Sequence, residues 1–131
     1  MNKQIIYTGQ APAPIGPYSQ AIKANVASTT GMLFVSGQVA IEVASQGDIR
    51  AETQKVMENI GAILEAAGMN YTNIVKASIF IKDMNNFAAI NEVYGRFFTS
   101  ESETSYYPAR ETVEVARLPK DVNVEISVIA V

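Results

Sequence analysis

Polar side chains with catalytic potential lie in two runs near the end of the sequence, where apolar and polar residues alternate. The runs cover residues 111–116 and 122–131, and their alternation predicts two β-strands. Because successive side chains of a strand point to opposite faces, Arg110 and Thr112 share one face of the first strand, and Glu125 lies opposite the apolar residues of the second. If both apolar sets pack on one core, these three polar side chains point away from it together.

Two features separate Arg110 and Glu125 from the solvated charges that an exposed strand face ordinarily carries. Pro108 favours an extended backbone at Tyr107, which fixes how the chain enters the strand at Arg110. Glu125 lies in a strand otherwise rich in valine and isoleucine, where a carboxylate is costly unless it is paired, exposed or used. A guanidinium can hold a carboxylate and a glutamate can act as a general base, so these residue types permit anion binding and acid–base chemistry.

The composition of the 131-residue chain narrows the function. Hydrophobic residues make up 48% and charged residues 18%, which is typical of a globular domain, and the sparse charge suggests oligomerisation. The net charge is −3 and lysine and arginine form no cluster, which disfavours nucleic acid as a ligand. Histidine and cysteine are absent, which removes disulfides, thiol nucleophiles, histidine catalysis and the usual zinc sites, and we expect no metal or cofactor.

The first part of the chain predicts a short strand and a stiff loop. Residues 5–7 favour a strand, whereas the proline-rich segment 11–20 fits neither a helix nor a central strand. Tyr18 lies in this segment, and it either packs against the core or lines a pocket.

Two further strands follow the loop. Residues 21–25 and 32–35 have strand composition, and residues 28–31 have that of a turn. Ser36 and Gly37 end the second of these strands. A glycine at such a position marks a β-bulge or a place where the backbone closely approaches another group.

The middle of the chain predicts a long amphipathic helix and a fourth strand. Apolar residues recur at helical spacing over residues 49–67, with Ser45 and Asp48 as candidate N-caps and Gly68 at the C-terminal end. Residues 74–82 alternate between apolar and polar, as in a strand with one buried face.

A second amphipathic helix is predicted over residues 86–98. Its apolar stripe includes Phe87 and Tyr94, yet Asn91, which belongs to the same stripe, is polar. Such an asparagine is either a structural tie to the backbone or part of a site.

The order β-β-β-α-β-α-β-β predicts one α+β domain over residues 1–131, with two helices on one face of a six-stranded sheet. No element remains to cover the other face, so we expect it to be buried against other copies of the chain. No apolar run is long enough for a signal peptide or a membrane span, so we expect a cytoplasmic protein without membrane contact.

Five segments of the chain, taken in order, carry a specific pattern. These segments are APAPIGPYSQA at 11–21, FVSGQ at 34–38, AILEAAG at 62–68, NIVKASIFIKDMNNFAAIN at 73–91 and PARETVEVARLPKDVNVEI at 108–126. Through them the chain resembles the Rid (YjgF) family of imine deaminases over essentially its full length. A single fragment would be unspecific, but five in the right order are a specific match.

The resemblance implies a chorismate-mutase-like α+β fold with a six-stranded mixed sheet, assembled as a homotrimer around a central barrel with ligand clefts between subunits. It also implies that the sixth strand is inserted into the sheet and does not form a hairpin with its predecessor. Family members hydrolyse 2-iminobutanoate and 2-iminopropanoate to 2-keto acids and ammonia. Small 2-imino and 2-keto acids are therefore the expected ligands.

The resemblance also implies site residues. It places the family's carboxylate-binding arginine at Arg110 and its water-positioning glutamate at Glu125. The other implied cleft residues are Tyr18, Ser36, Gly37, Asn91 and Thr112. The family commonly has cysteine where this chain has Thr112, so a thiol-dependent reaction is excluded and the substrate range is affected more than the reaction class. Glu52, where relatives usually have glutamine, receives no functional assignment.

Two alternatives stay open at this point. The chain could be a non-catalytic sensor that binds a small carboxylate or keto acid through Arg110. It could also be a ribonuclease, a label that some relatives carry, although the acidic net charge and the absence of histidine and basic patches argue against this activity.

Overall fold

The computed structural model describes residues 2–25, 31–99 and 106–131, and within these ranges the chain forms six strands and three α-helices. The strands are β1 (Lys3–Ile6), β2 (Ala21–Ala24), β3 (Met32–Gln38), β4 (Ile74–Ile81), β5 (Ala109–Glu114) and β6 (Val124–Ala130). The helices are α1 (Ile41–Ala44), α2 (Ile49–Ala66) and α3 (Phe87–Arg96). The sequence pattern predicted α2 and α3, whereas the single-turn helix α1 was missed.

The strands form one sheet in the order β1-β2-β3-β6-β4-β5. β4 and β5 are parallel, and the other neighbouring strands are antiparallel. The expected six-stranded mixed sheet is therefore confirmed. β6 lies between β3 and β4, as the resemblance implied, so the hairpin suggested by alternation alone is wrong.

Helix α2 begins and ends at the residues that its sequence indicates. The side chain of Asp48 accepts hydrogen bonds from the backbone N–H groups of Arg50 and Ala51, both at 3.1 Å. Gly68 follows the helix with φ of +75°, a left-handed conformation that glycine adopts without steric cost. Asp48 is thus the N-cap, and Ser45, the other candidate, lies at the C-terminal end of α1.

The core lies between the sheet and the two longer helices, which pack on the same face. From α2 it takes Val56, Met57, Ile60, Ile63 and Leu64. From the sheet it takes Leu33, Ala77, Ile79, Ile81, Val124, Ile126 and Val128. The helical and the alternating periodicities of the sequence therefore converge on one apolar layer.

We call the opposite side of the sheet the outer face. Residues paired across neighbouring strands share a face, and Phe80 pairs with both Val113 and Glu125. Val113 is 42% exposed and Phe34, on β3, is 43% exposed. The outer face of the described chain therefore presents apolar side chains to solvent.

The prediction that Arg110, Thr112 and Glu125 share one face is wrong. Arg110 pairs with Ala77 and Thr112 pairs with Ile79, and both partners are buried on the helix side. Glu125 lies on the outer face. The prediction failed because β5 turns its valine outward, so the assumption that both apolar sets face one core does not hold.

Smaller differences concern the ends of strands. β1 begins and ends earlier than predicted, and segment 11–20 contains neither helix nor strand, as expected. β3 continues through Gln38, and its register against β6 shifts between Val35 and Gln38. A β-bulge at Gly37, which lies in this interval, was one of the two features predicted for that glycine. Residues 28–30 of the predicted turn lie outside the described residues.

None of the described helices has the length and hydropathy needed to cross a membrane.

Candidate functional site

Arg110 of β5 lies against a polar-aromatic stripe of α3. Its Nη1 donates a hydrogen bond to Oδ1 of Asn91 at 2.7 Å. Its Cζ lies 5.1 Å from the ring centroid of Tyr94 and 5.8 Å from that of Phe87, distances typical of cation–π contacts. Positions 87, 91 and 94 face the same side of a helix because they are four and three residues apart. The asparagine in the apolar stripe is therefore explained by its contact with a guanidinium.

A cavity of about 340 Å³ opens beside this guanidinium. It is lined by Asn91, Tyr94, Gly95, Tyr107, Pro108 and Arg110. Apart from the bond to Asn91, Arg110 makes no hydrogen bond or ion pair with any described residue. A guanidinium with free N–H groups at a cavity can bind a carboxylate through two parallel hydrogen bonds.

Two hydroxyl groups on the same side of the sheet have no hydrogen-bond partner among the described residues. They are the buried Oη of Tyr94 and Oγ1 of Thr112. Burial raises the pKa of Tyr94 to about 12, although the charge of Arg110 acts in the opposite direction, so the phenol is neutral at physiological pH. We call Phe87, Asn91, Tyr94, Arg110 and Thr112 the arginine cluster.

Glu125 lies on the outer face of β6, next to Gly37 of β3. A Cβ added to Gly37 would lie 2.7 Å from Cδ of Glu125, closer than carbon atoms approach without a clash. Position 37 is therefore glycine because the carboxylate occupies the space of a side chain. Burial raises the pKa of Glu125 above its ordinary value, as expected for a carboxylate that has no cationic partner within residues 2–25, 31–99 and 106–131.

The loop that carries Tyr18 docks beside Gly37. Ser36 Oγ donates a hydrogen bond to the carbonyl of Ser19 at 2.6 Å, and the hydroxyl of Tyr18 accepts one from the backbone N–H of Ile15 at 3.2 Å. Tyr18 and Gly37 consequently line one small cavity. We call Tyr18, Ser36, Gly37 and Glu125 the glutamate cluster.

A buried glutamine holds this loop in place. Gln20 is 1% exposed, and its Nε2 donates to the carbonyls of Thr8, Ala11 and Pro12 at 3.1, 3.3 and 2.8 Å. Its Oε1 accepts from the N–H of Thr8 at 2.8 Å. One side chain therefore satisfies four backbone groups of a segment that has no strand partner of its own.

The two clusters lie on opposite faces of the same sheet. Glu125 and Arg110 form no hydrogen bond or ion pair, and Arg110 is not among the causes of the raised Glu125 pKa. The structure thus brings the predicted residues together in two groups. Within one chain it does not bring them into a single cleft.

The sequence analysis did not identify two members of the arginine cluster, and it did not identify a buried glutamate that connects α2 to β6. Phe87 and Tyr94 were assigned only to an apolar stripe, and their spacing around Asn91 was the signal that could have found them. Glu52 is 1% exposed, and its two carboxylate oxygens accept hydrogen bonds from the backbone and side-chain N–H groups of Asn123, both at 2.8 Å. Glu52 therefore fixes the start of β6 to α2.

Comparisons with known proteins give consistent matches over nearly the whole chain. A family model described as Endoribonuclease L-PSP matches residues 8–131. A RutC family protein of Synechocystis sp. is 47% identical over 136 residues, which cover 100% of this chain and 98% of that protein. The 2-iminobutanoate/2-iminopropanoate deaminase of Salmonella typhimurium is 45% identical over 129 residues, which cover 96% of this chain and 95% of that protein.

Among solved structures, that of E. coli TdcF with bound serine is similar to this chain. The TM-score is 0.80 and the sequence identity is 44%, with 98% of each chain covered. Because sequence and fold agree over the same length, the match extends well beyond a shared architecture.

Proposed function

The chain belongs to the YjgF/Rid family, and from this premise we propose that it is a deaminase that hydrolyses small 2-imino acids such as 2-iminobutanoate and 2-iminopropanoate. Water adds to C2 of the imine, the C–N bond then breaks, and the products are a 2-keto acid and ammonia. The reaction involves no net oxidation or reduction. The observation that carries the proposal is the guanidinium of Arg110, which is held at a cavity with N–H groups left for a carboxylate.

Arg110 binds the carboxylate of the imino acid. The hydrogen bond from Nη1 to Asn91 fixes the orientation of the guanidinium. The remaining N–H groups therefore face the ligand in one defined geometry. Each charge-assisted hydrogen bond of this kind contributes about 1.5–3 kcal/mol. Lysine cannot reproduce this geometry because its ammonium is a point charge without a planar fork.

Glu125 acts as the general base. It holds a water molecule against the imine carbon, takes a proton from it, and returns a proton to the departing nitrogen. A raised pKa suits this role because the group must both accept and give up a proton near neutral pH. The backbone beside Gly37 and Thr112 completes the site by binding the imine nitrogen.

The complete site forms between subunits of a homotrimer that surrounds a central barrel. Two observations support this arrangement: the clusters lie on opposite faces of one sheet, and the outer face exposes Phe34 and Val113. A cleft between neighbouring copies can combine the arginine cluster of one with the glutamate cluster of the next. Each site then needs one residue set from each of two chains.

The activity is tested with 2-iminobutanoate generated in situ by a threonine dehydratase, following the loss of the imine. Arg110→Ala is expected to raise KM by at least about 10-fold, and Glu125→Gln to lower kcat by about 10²–10⁴-fold. Arg96→Ala and Glu58→Gln are matched controls that change exposed helix residues outside both clusters and away from the outer face. Wild-type protein that does not accelerate imine loss would contradict the proposal.

The shared cleft is tested by mixing the two inactive variants. If each site takes Arg110 from one chain and Glu125 from another, random reassembly of equal amounts restores about one quarter of the wild-type activity. Activity that stays at the level of the separate variants after reassembly contradicts the intersubunit site. Wild-type binding of 2-oxobutanoate without turnover would instead favour a sensor.

The family description as an endoribonuclease makes RNA cleavage the second activity to measure. A net charge of −3 gives the chain little attraction for a phosphate backbone. RNA cleavage by pure protein that is lost in Arg110→Ala would favour this alternative. Cleavage that survives the substitution would point to another site or a contaminant.

A further inference from the structure

We propose that Phe87 and Tyr94 form an aromatic clamp that positions the Arg110 guanidinium for carboxylate binding. Both are positioning residues, because they act on the ligand through Arg110. The inference rests on the proposed function for the identity of the ligand. The clamp itself is a property of the ligand-free chain, so it can be tested separately.

The geometry of α3 places two aromatic rings close to the guanidinium. Tyr94 follows Phe87 by seven positions, and a rise of 1.5 Å per residue puts them about 10.5 Å apart along the helix. Cζ of Arg110 lies 5.8 Å from one ring centroid and 5.1 Å from the other. The guanidinium is therefore about equally far from two aromatic rings, and Asn91, which lies between them in sequence, holds Nη1.

This arrangement restricts the conformations available to the Arg110 side chain. A free arginine side chain has many rotamers, and the rings and the hydrogen bond to Asn91 select one of them. The Arg110 side chain loses this conformational entropy on folding and not on ligand binding. The ligand therefore binds to a guanidinium that is already oriented for two parallel hydrogen bonds. The clamp should consequently affect KM far more than kcat.

The ring of Tyr94, and not its hydroxyl, performs this role. Tyr94 is 4% exposed, and its buried hydroxyl has no hydrogen-bond partner in the described part of the chain. An atom covered in this way is not presented to a ligand in the cavity. An unsatisfied buried hydroxyl also lowers stability, so Tyr94→Phe is expected to raise the denaturation midpoint and to leave ligand affinity unchanged.

Loss of either ring is expected to weaken ligand binding. A cation–π contact at a partly exposed position corresponds to about 2- to 5-fold in affinity, so Tyr94→Leu and Phe87→Leu should each raise KM and the Kd for 2-oxobutanoate by that factor, with kcat nearly unchanged. Phe87 is 38% exposed, so its replacement by leucine tests the clamp without removing a core side chain.

Tyr71 provides the matched control. Its ring lies 5.0 Å from that of Phe97, much as the ring of Tyr94 lies 4.8 Å from that of Phe98, but its hydroxyl donates to the carbonyl of Met57 at 2.9 Å. Tyr71→Phe should therefore lower the denaturation midpoint, in contrast to Tyr94→Phe. Tyr71→Leu should leave the Kd for 2-oxobutanoate unchanged.

An NMR measurement tests the clamp without any ligand. Protons held over aromatic ring faces resonate at lower frequency, so the Nε–H signal of Arg110, identified by its absence in Arg110→Lys, should be displaced and should move back in Phe87→Leu and Tyr94→Leu. An unchanged signal in both leucine variants overturns the clamp. So does a loss of affinity in Tyr94→Phe as large as that in Tyr94→Leu. If wild-type protein binds no 2-oxobutanoate, the proposed function fails, and the NMR signal alone decides the clamp.

Discussion

At the scale of single residues, Glu125 combines a charge with incomplete solvation. Its carboxylate faces the backbone of Gly37, and none of the described residues supplies a cation to it. The ionised form is therefore less favourable in the folded chain than in the unfolded chain, which is the cause of the raised pKa. Ionisation of Glu125 at neutral pH consequently destabilises the folded chain, although the proposed reaction needs this carboxylate in its ionised form.

This cost predicts a pH-dependent effect of Glu125→Gln. Because the folded chain holds the Glu125 proton more tightly, the stability contribution is present below the ordinary pKa of 4.5 and is lost as the pH rises through the higher folded value. The variant should be more stable than wild type at neutral pH, and the difference should shrink as the pH falls from the folded pKa of Glu125 to 4.5 and stay constant below that pH. Urea denaturation of both proteins from neutral pH to below pH 4.5 measures this difference in stability. As the pH is lowered, kcat/KM of wild type should begin to fall while the pH is still above 4.5, because the folded pKa of Glu125 is higher than that value.

Glu111→Gln is the control of opposite sign. A hydrogen bond from Ser78 is the main cause that lowers the pKa of Glu111, and Lys76 acts in the same direction. Its contribution is present above the ordinary pKa and is lost as the pH falls, so Glu111→Gln should be no more stable than wild type at neutral pH. The same sign for both variants would contradict the assigned causes.

At the scale of elements, the proline-rich loop depends on one side chain for its position. Gln20→Ala removes the partner of four backbone groups in segment 8–12. We expect a loss of about 2–4 kcal/mol in the free energy of unfolding, together with lower activity because the loop also carries Tyr18. The measurement is the urea midpoint at constant m-value.

The exposed Gln10 lies in the same loop and offers a control of the same residue type. Its side chain forms no hydrogen bond with a described residue, so Gln10→Ala should change stability by less than about 0.5 kcal/mol. Equal losses in the two variants would show that the hydrogen bonds of Gln20 do not hold the loop.

Sequence periodicity predicted those elements whose faces are set locally. The apolar spacing of α2 and the Asp48 cap identified that helix, and alternation identified the buried side of β4. For β5 alternation named two faces correctly but could not say which of them meets the helices, because that depends on pairing with β4. Arg110 was therefore predicted as a site residue but placed on the wrong side of the sheet.

The resemblance to a family supplied what local patterns could not. The insertion of β6 between β3 and β4 joins segments far apart in sequence, and no spacing rule encodes such a pairing. The contact between Asn91 and Arg110 is another long-range feature. The polar residue in the apolar stripe of α3 left two interpretations open, and the resemblance favoured the one in which Asn91 belongs to the same cleft as Arg110.

At the scale of the whole molecule, the sheet has one covered and one uncovered face. Phe34 of the outer face is 43% exposed, and the proposed trimer buries it. Phe34→Arg should therefore convert the trimer to a folded monomer with about one third of the mass, and activity should fall because each monomer retains only half of a cleft.

Light scattering and circular dichroism measure these two outcomes. Glu58→Arg, which alters the exposed side of α2, is the control and should leave mass and activity unchanged. A wild-type mass equal to that of one chain would contradict the proposed assembly, as would a Phe34→Arg variant that keeps the wild-type mass and activity.

The place of β6 also governs how the chain can be made. A ribosome delivers β3 and β4 well before β6, and until β6 emerges each of them has an edge without its native neighbour. Pairs such as Leu33 with Ala130 join distant parts of the polypeptide, which slows their formation. Nascent chains are therefore open to edge-to-edge pairing with one another during synthesis. The strand that carries the proposed catalytic glutamate is the one whose arrival ends this period of vulnerability.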